Sequence, residues 1–105
     1  RALGVTSAKR VAALPEVPTI AESGVAGFDV SSWFGVFVPA GTPRAIVNKM
    51  NQEIHRILAN PEVRKRLIDQ GADPASNTPE AFAAYVKSEM TRWGQVVRNT
   101  GTRVD

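Results

Sequence analysis

Three short dipeptides, each a helix-capping residue followed by proline, determine where the helices of this chain can begin. They are Thr42-Pro43, Asn60-Pro61 and Thr78-Pro79. The Thr or Asn side chain can accept a hydrogen bond from the first helical turn, and proline fits the first helical position because the amide there has no intrahelical partner. These dipeptides and the apolar spacing after them predict helices over about 43–59, 61–70 and 79–99.

Apolar residues recur along these segments at the spacing of one helix face. The most regular stripe belongs to the last helix and consists of Phe82, Tyr85, Val86, Met90, Trp93 and Val97. The first helix has a similar stripe, formed by Ile46, Val47, Met50, Ile54, Ile57 and Leu58. Such stripes are typical of helices that lie on an apolar core. The short middle helix is expected to stop at Gly71.

Two segments of the N-terminal part have the composition of β-strands. They are residues 1–7 and residues 28–38, and the second is rich in β-branched and aromatic residues. Gly35 lies in the middle of the second segment, which indicates a bulge, a bend or the close approach of another backbone. The predicted fold class is therefore α/β, with few strands covered by about three helices.

The connector between these segments is punctuated by proline and then has a helix-start pattern. Residues that precede Pro15 and Pro18 avoid the helical conformation, so an extended chain is expected there. Thr19 and Glu22 have the spacing of a capping box, in which each side chain bonds the backbone amide of the other residue. A helix of one to two turns, ended by Gly24, is predicted at this point.

Two strands do not make an independent sheet, because three or more strands or a covering layer are normally needed. The helices also present more apolar stripe than two strands can cover. We therefore expect residues 1–105 to be a single partial domain, with apolar surface to be buried by a missing part of the native chain or by another copy in an oligomer. The start at Arg1, inside a strand-like run and without an initiator Met, gives the same expectation of upstream sequence.

The composition argues against an enzyme and against a metal protein. The chain has no Cys, which excludes disulfides, thiolate catalysis and Cys-based zinc sites. Its one histidine, His55, lies outside the apolar stripe of its helix, so a surface role is expected, and a single histidine does not form a zinc site. The sequence has no nucleophile elbow of the form Gly-x-Ser-x-Gly. We expect no catalytic residue, no metal and no organic cofactor.

The charge distribution leaves one alternative function open. The 13 basic and 10 acidic residues give a net charge of +3 and are mixed along the chain. Nucleic-acid modules usually gather Lys and Arg on one face with aromatic partners, so an ordinary solvated surface and no nucleic-acid partner are expected. The alternative is a freestanding basic helical module that binds other macromolecules or nucleic acid. A third interpretation is an oligomerising scaffold.

Several short motifs occur in a specific order and spacing between Arg1 and Gly101. They include Arg1-Ala2-Leu3-Gly4-Val5-Thr6-Ser7, Leu14-Pro15-Glu16-Val17-Pro18-Thr19, Ser32-Trp33-Phe34-Gly35, Pro39-Ala40-Gly41-Thr42-Pro43, Asn60-Pro61-Glu62-Val63 and Thr78-Pro79-Glu80. Together they resemble the substrate-binding receptors of tripartite tricarboxylate transporters, the Bug-type periplasmic receptors. The chain is similar to the C-terminal segment of such a receptor.

The resemblance implies a periplasmic binding protein of the type II kind, in which two α/β lobes close on a hinge around a small carboxylated solute. Such receptors deliver their solute to a membrane permease. The segment that this chain resembles contributes a strand near the hinge and helices that cover one sheet. Most of the ligand pocket of the family lies upstream of it. We therefore expect a fragment that does not bind ligand tightly alone and whose uncovered surface is open to self-association.

The resemblance also implies where a ligand would be contacted. Ser31, Ser32 and Trp33 lie at the place where the chain of the family passes the hinge. Thr6 and Ser7 are candidates on a separate ground, because they end the first predicted strand and α/β sheets bind ligands beyond the carboxyl ends of their strands. Hydroxyl groups, backbone amides and ordered water can hold a carboxylate without a bulky counter-charge. Core packing for Trp33 and surface or ladder roles for the serines are the alternatives.

Overall fold

A computed structural model describes residues 1–103, in which an N-terminal part without helices precedes three α-helices. Helix α1 spans Arg44–Ala59, α2 spans Pro61–Asp69 and α3 spans Pro79–Thr100. Each boundary lies within one residue of the range that the sequence predicts. Within residues 1–103, none of the helices combines the length and the apolar character needed to cross a membrane.

The second and third helices begin as their capping residues predict. The side-chain oxygen of Asn60 accepts from the backbone amide of Glu62 at 2.9 Å, and the hydroxyl of Thr78 accepts from that of Ala81 at 3.2 Å. After α2 the chain turns at Gly71, whose φ of +81° is easily reached only without a side chain. These two starts are therefore fixed by local hydrogen bonds.

The first helix begins differently. The prediction that Thr42 caps α1 is wrong, because its hydroxyl donates to the carbonyl of Pro39 at 2.8 Å and so closes the preceding turn. Pro43 occupies the cap position instead, without a side-chain hydrogen bond. The turn places Gly41 at a φ of +85°. The Thr42 hydroxyl is thus used before the helix begins.

The strands predicted over about 1–7 and 28–38 are not formed in residues 1–103. A single parallel bridge joins Val5 to Thr19, and one further bond runs from the amide of Val30 to the carbonyl of Thr6 at 2.8 Å. A strand requires a continuous ladder with a neighbouring extended segment. The described part of the chain supplies residues 28–38 with no such neighbour, and α3 lies beside them instead.

The capping box forms, but the helix of one to two turns predicted after it does not form in the described residues. The amide of Glu22 donates to the Thr19 hydroxyl at 3.0 Å, and the amide of Thr19 donates to the Glu22 carboxylate at 2.8 Å. Only turns follow, up to Gly24 at a φ of +115°. The result is one closed turn that joins the proline-rich connector to residues 25–28.

Polar contacts fix the order in which the helices pack, with α1 touching both α2 and α3. Asn51 and His55, one helical turn apart on α1, both reach the carbonyl of Asn77 at 2.9 Å. An ion pair between Arg44 and Glu80 joins the starts of α1 and α3. His55 is half-buried and holds the connector between α2 and α3, a structural contact that the surface role predicted for it did not include.

The apolar stripes remain largely uncovered, as the sequence predicts. Among the described residues, Val17 at 6% exposure is the buried apolar side chain and Thr19 at 1% the buried polar one. Phe34 is 94% exposed and Met90 is 72% exposed. No residue in the three helices is buried. The molecule thus presents an apolar face that none of residues 1–103 covers.

Candidate functional site

The two predicted ligand segments meet in the structure. We call this place the crossing and define it as residues 5–8 together with residues 28–32. Its backbone bond runs from the amide of Val30 to the carbonyl of Thr6 at 2.8 Å. A second link is the amide of Ala8, which donates to the Asp29 carboxylate at 3.1 Å. Residues separated by more than twenty positions in the sequence are thereby held side by side.

The hydroxyl groups of the crossing differ in how they are used. The Ser7 hydroxyl donates to the carbonyl of Lys9 at 2.7 Å, so this hydroxyl is used within a local turn. The Ser31 hydroxyl lies 3.5 Å from the Asp29 carboxylate, at the limit of a hydrogen bond. Thr6, Ser31 and Ser32 are exposed to solvent. The crossing therefore presents hydroxyl groups at the surface while its backbone is held in place.

Trp33 faces α3. Its ring meets the edge of Phe82 with centroids 5.7 Å apart and that of Tyr85 with centroids 5.5 Å apart. Edge-to-face pairs of this kind add to the free energy gained from burial. The position of Trp33 agrees with the packing alternative raised from the sequence, and the residue fixes Ser31 and Ser32 relative to α3.

Helix α3 makes one further contact with the crossing and one with the stretch that follows it. The guanidinium of Arg92 donates to the backbone carbonyl of Asp29. The ring of Phe82 also meets Phe37, with centroids 5.3 Å apart. Loss of solvation raises the pKa of Tyr85 above its ordinary value of 10.0, and the negative charges of Glu89 and Asp29 act in the same direction. Neither Asp29 nor Arg92 has a local sequence signal for these long-range bonds.

A second polar cluster supports the connector that leads to the crossing. The guanidinium of Arg10 pairs with the Glu22 carboxylate at 3.0 Å and reaches the carbonyl of Pro15 at 3.3 Å. The hydrogen bond from the Thr19 amide lowers the pKa of Glu22, and the bond from Arg10 lowers it further. Glu22 thus joins Arg10 to the turn that begins at Thr19.

Residues 1–103 contain no group of three or more His, Cys, Asp or Glu side chains placed to hold a metal ion. Within the described part of the chain, six basic residues form ion pairs with acidic neighbours, namely Arg10, Arg44, Lys49, Arg56, Lys65 and Arg92. Pairing of this kind disperses the positive charge that a nucleic-acid interface would concentrate.

Comparison with known proteins gives one consistent result. The sequence pattern described as "Tripartite tricarboxylate transporter family receptor" matches residues 1–102. The "UPF0065 protein in tcbD-tcbE intergenic region" of Pseudomonas sp. (strain P51) is 49% identical over 98 residues, which are 92% of this chain and 29% of that protein. The chain therefore spans about a third of the length of such relatives.

Two solved structures have the same fold over nearly all of the chain. The structure titled "R. palustris Rpa4515 with adipate" matches with a TM-score of 0.81 and 38% identity, over 94% of this chain and 33% of that one. The structure of the periplasmic binding protein BugD matches with a TM-score of 0.79 and 38% identity, over 93% of this chain and 33% of that one.

Proposed function

Because this chain belongs to the tripartite tricarboxylate transporter receptor family, we propose that it forms part of a periplasmic receptor that captures a small carboxylated solute. The receptor would deliver this solute to the membrane permease of its transporter. The chain would contribute part of one lobe and of the hinge. Its role in this proposal is binding and release, with no catalytic step.

The observation that carries the solute-binding part of the proposal is the crossing. Thr6, Ser31 and Ser32 are exposed there, while Val30 and Ala8 fix the backbone beneath them. Hydroxyl groups and amides on a fixed backbone suit a carboxylate, because the donors need no reorganisation when the ligand arrives. The Asp29 carboxylate is bonded to the Ala8 amide, and its negative charge opposes an anion at the crossing.

The proposal also includes an α/β lobe, whose sheet would contain residues 28–38 and 1–7. Residues 30–43 carry no charge, and in this stretch Phe34, Val36 and Phe37 are exposed. An uncharged extended segment with unpaired backbone groups is suited to join a sheet. We propose that residues 28–38 and 1–7 become strands when they pair with other segments of the receptor, and that the helices then cover one face of that sheet.

A dicarboxylate is the first solute class to test, because a solved relative was obtained with adipate. Calorimetric titrations of adipate, citrate, glutamate and benzoate would be made into the full-length receptor and into the 105-residue chain. We expect saturable binding of at least one acid by the receptor, with closure of the lobes seen by small-angle scattering. The chain alone is expected to bind weakly, because most of the pocket lies elsewhere.

Two results would contradict this proposal. A receptor that binds none of a broad set of carboxylates would overturn the function, and sub-micromolar binding by the chain alone would overturn the partial pocket. Retention on heparin that falls steeply with added salt would instead favour the basic nucleic-acid module. Sedimentation of the chain would show the self-association expected from its uncovered apolar face.

A further inference from the structure

Asp29 is bonded to two distant parts of the chain and lies beside a neighbouring hydroxyl group. Its carboxylate accepts from the amide of Ala8 at 3.1 Å and lies 3.5 Å from the Ser31 hydroxyl. Its backbone carbonyl accepts from the guanidinium of Arg92, which is 63 residues away on α3. The residue therefore links both segments of the crossing to the longest helix of the structure.

These bonds fix the relative position of the two segments of the crossing more than they add to the free energy of unfolding. Ala8, Ser31 and Arg92 are all exposed, so water can satisfy their donors when Asp29 is changed. A buried donor would lose its partner at a high energetic cost, whereas an exposed one exchanges it for solvent. What is lost at an exposed site is the fixed separation of the two segments.

We infer that Asp29 is a positioning residue of the solute site, and that it acts by holding Thr6 and Ser31 at a fixed separation and by tying both to α3. The inference rests on the proposed function, since it assigns the crossing to the solute. In this role the Asp29 carboxylate acts as a hydrogen-bond acceptor, and its negative charge is not needed. The negative charge itself opposes an anionic ligand.

The acceptor role of the Asp29 carboxylate can be separated from its charge with paired substitutions in the full-length receptor. Asp29→Ala removes the acceptor and the charge, whereas Asp29→Asn removes the charge and keeps one acceptor oxygen. Arg92→Met removes the donor to the Asp29 carbonyl and keeps an apolar stem. Asp69→Ala is the matched control, because that carboxylate pairs with Lys65 at 2.7 Å on α2.

Two readouts are measured for each variant, which are the exchange rate of the Ala8 amide and the affinity for adipate. In Asp29→Ala we expect exchange about tenfold faster and affinity about tenfold weaker, the effect of losing one charged hydrogen bond. Asp29→Asn is expected to restore affinity to within about threefold of the parent receptor, or to exceed it. Arg92→Met should weaken binding, and Asp69→Ala should change neither readout.

Three outcomes would overturn the inference. They are unchanged Ala8 exchange in Asp29→Ala, unchanged adipate affinity in that variant, and tighter binding in both the Ala and the Asn variant, which would reveal a purely electrostatic effect. In each case the parent receptor still binds adipate. A parent receptor that binds no carboxylate would instead overturn the proposed function.

Discussion

Glu22 is exposed, and yet it bonds the Thr19 amide and the Arg10 guanidinium at once. Because both partners favour the ionised form, its pKa lies below the ordinary value of 4.5. A folded-state pKa below the unfolded value means that the ionised group stabilises the fold above pH 4.5. This contribution is lost as the pH falls through the lowered pKa.

Glu22→Gln should therefore reduce the acid sensitivity of the N-terminal segment. We expect the variant to be less stable than the parent at pH 6, because the charged bonds to Thr19 and Arg10 are weakened. The difference should shrink below pH 4.5, where the parent loses the same interaction. Thermal unfolding at several pH values measures this, with Glu16→Gln as the control. An equal difference at all pH values would contradict the prediction.

The candidate site could be predicted from single residues only in part. The motifs singled out Thr6, Ser7, Ser31, Ser32 and Trp33, and the structure brings the two groups together at the crossing. The bonds that join them come from Asp29 and Arg92, which have no local pattern. Contacts across 21 and 63 positions depend on the path of the whole chain, and one sequence does not reveal that path.

At the scale of elements, Gly35 determines how closely residues 28–38 approach α3. A Cβ atom built at Gly35 would lie 2.9 Å from Cε1 of Phe82, closer than real side chains come. The ring cannot move freely, because Trp33 and Phe37 contact it on either side. The mid-segment glycine thus marks the close approach of a side chain, where the sequence had indicated a bulge, a bend or another backbone.

Gly35→Ala should separate this segment from α3. We expect a loss of about 1–3 kcal/mol in the free energy of unfolding, as for other overpacked contacts. Gly94→Ala is the control within α3, because its Cβ would make an ordinary contact and replace a helical glycine, with an expected gain of roughly 0.5–1 kcal/mol. Chemical unfolding of both variants measures the effect, and a neutral Gly35→Ala would contradict the packing described.

The three predicted helices form and the two predicted strands do not form within residues 1–103, for one physical reason. A helix start depends on neighbours in sequence, as at Asn60 and Thr78, whose side chains bond amides two and three residues later. A strand depends on a partner elsewhere. Residues 28–38 have the composition of a strand, but residues 1–103 do not supply the neighbouring strand with which they could form a ladder.

At the scale of the whole molecule, the uncovered apolar face is the dominant feature. Phe34, Val36 and Phe37 are exposed on residues 28–38, and Met90 and Val97 are exposed on α3. Surfaces of this kind associate with other apolar surfaces in water. Under the proposed function the same face joins a sheet within a receptor, and in the isolated chain it is open to contact between copies.

Phe34→Lys should reduce this association in the isolated chain. We expect a lower sedimentation coefficient at high concentration and weaker binding of an apolar dye, because a charge at an edge opposes pairing. Lys49→Ala, on the exposed surface of α1, is the control and should leave both measurements unchanged. Identical sedimentation of the parent chain and Phe34→Lys would show that residues 28–38 do not take part.

The placement of Trp33 has an optical consequence. Its indole lies between the exposed serines and the rings of Phe82 and Tyr85, so any sliding of that stretch along α3 changes the polarity around it. Trp93 donates to Glu89 and lies 5.6 Å from the Arg92 guanidinium, so its signal is removed with Trp93→Phe. The emission wavelength of Trp33 in that variant reports, without any added label, whether the proposed capture of solute reaches this part of the protein.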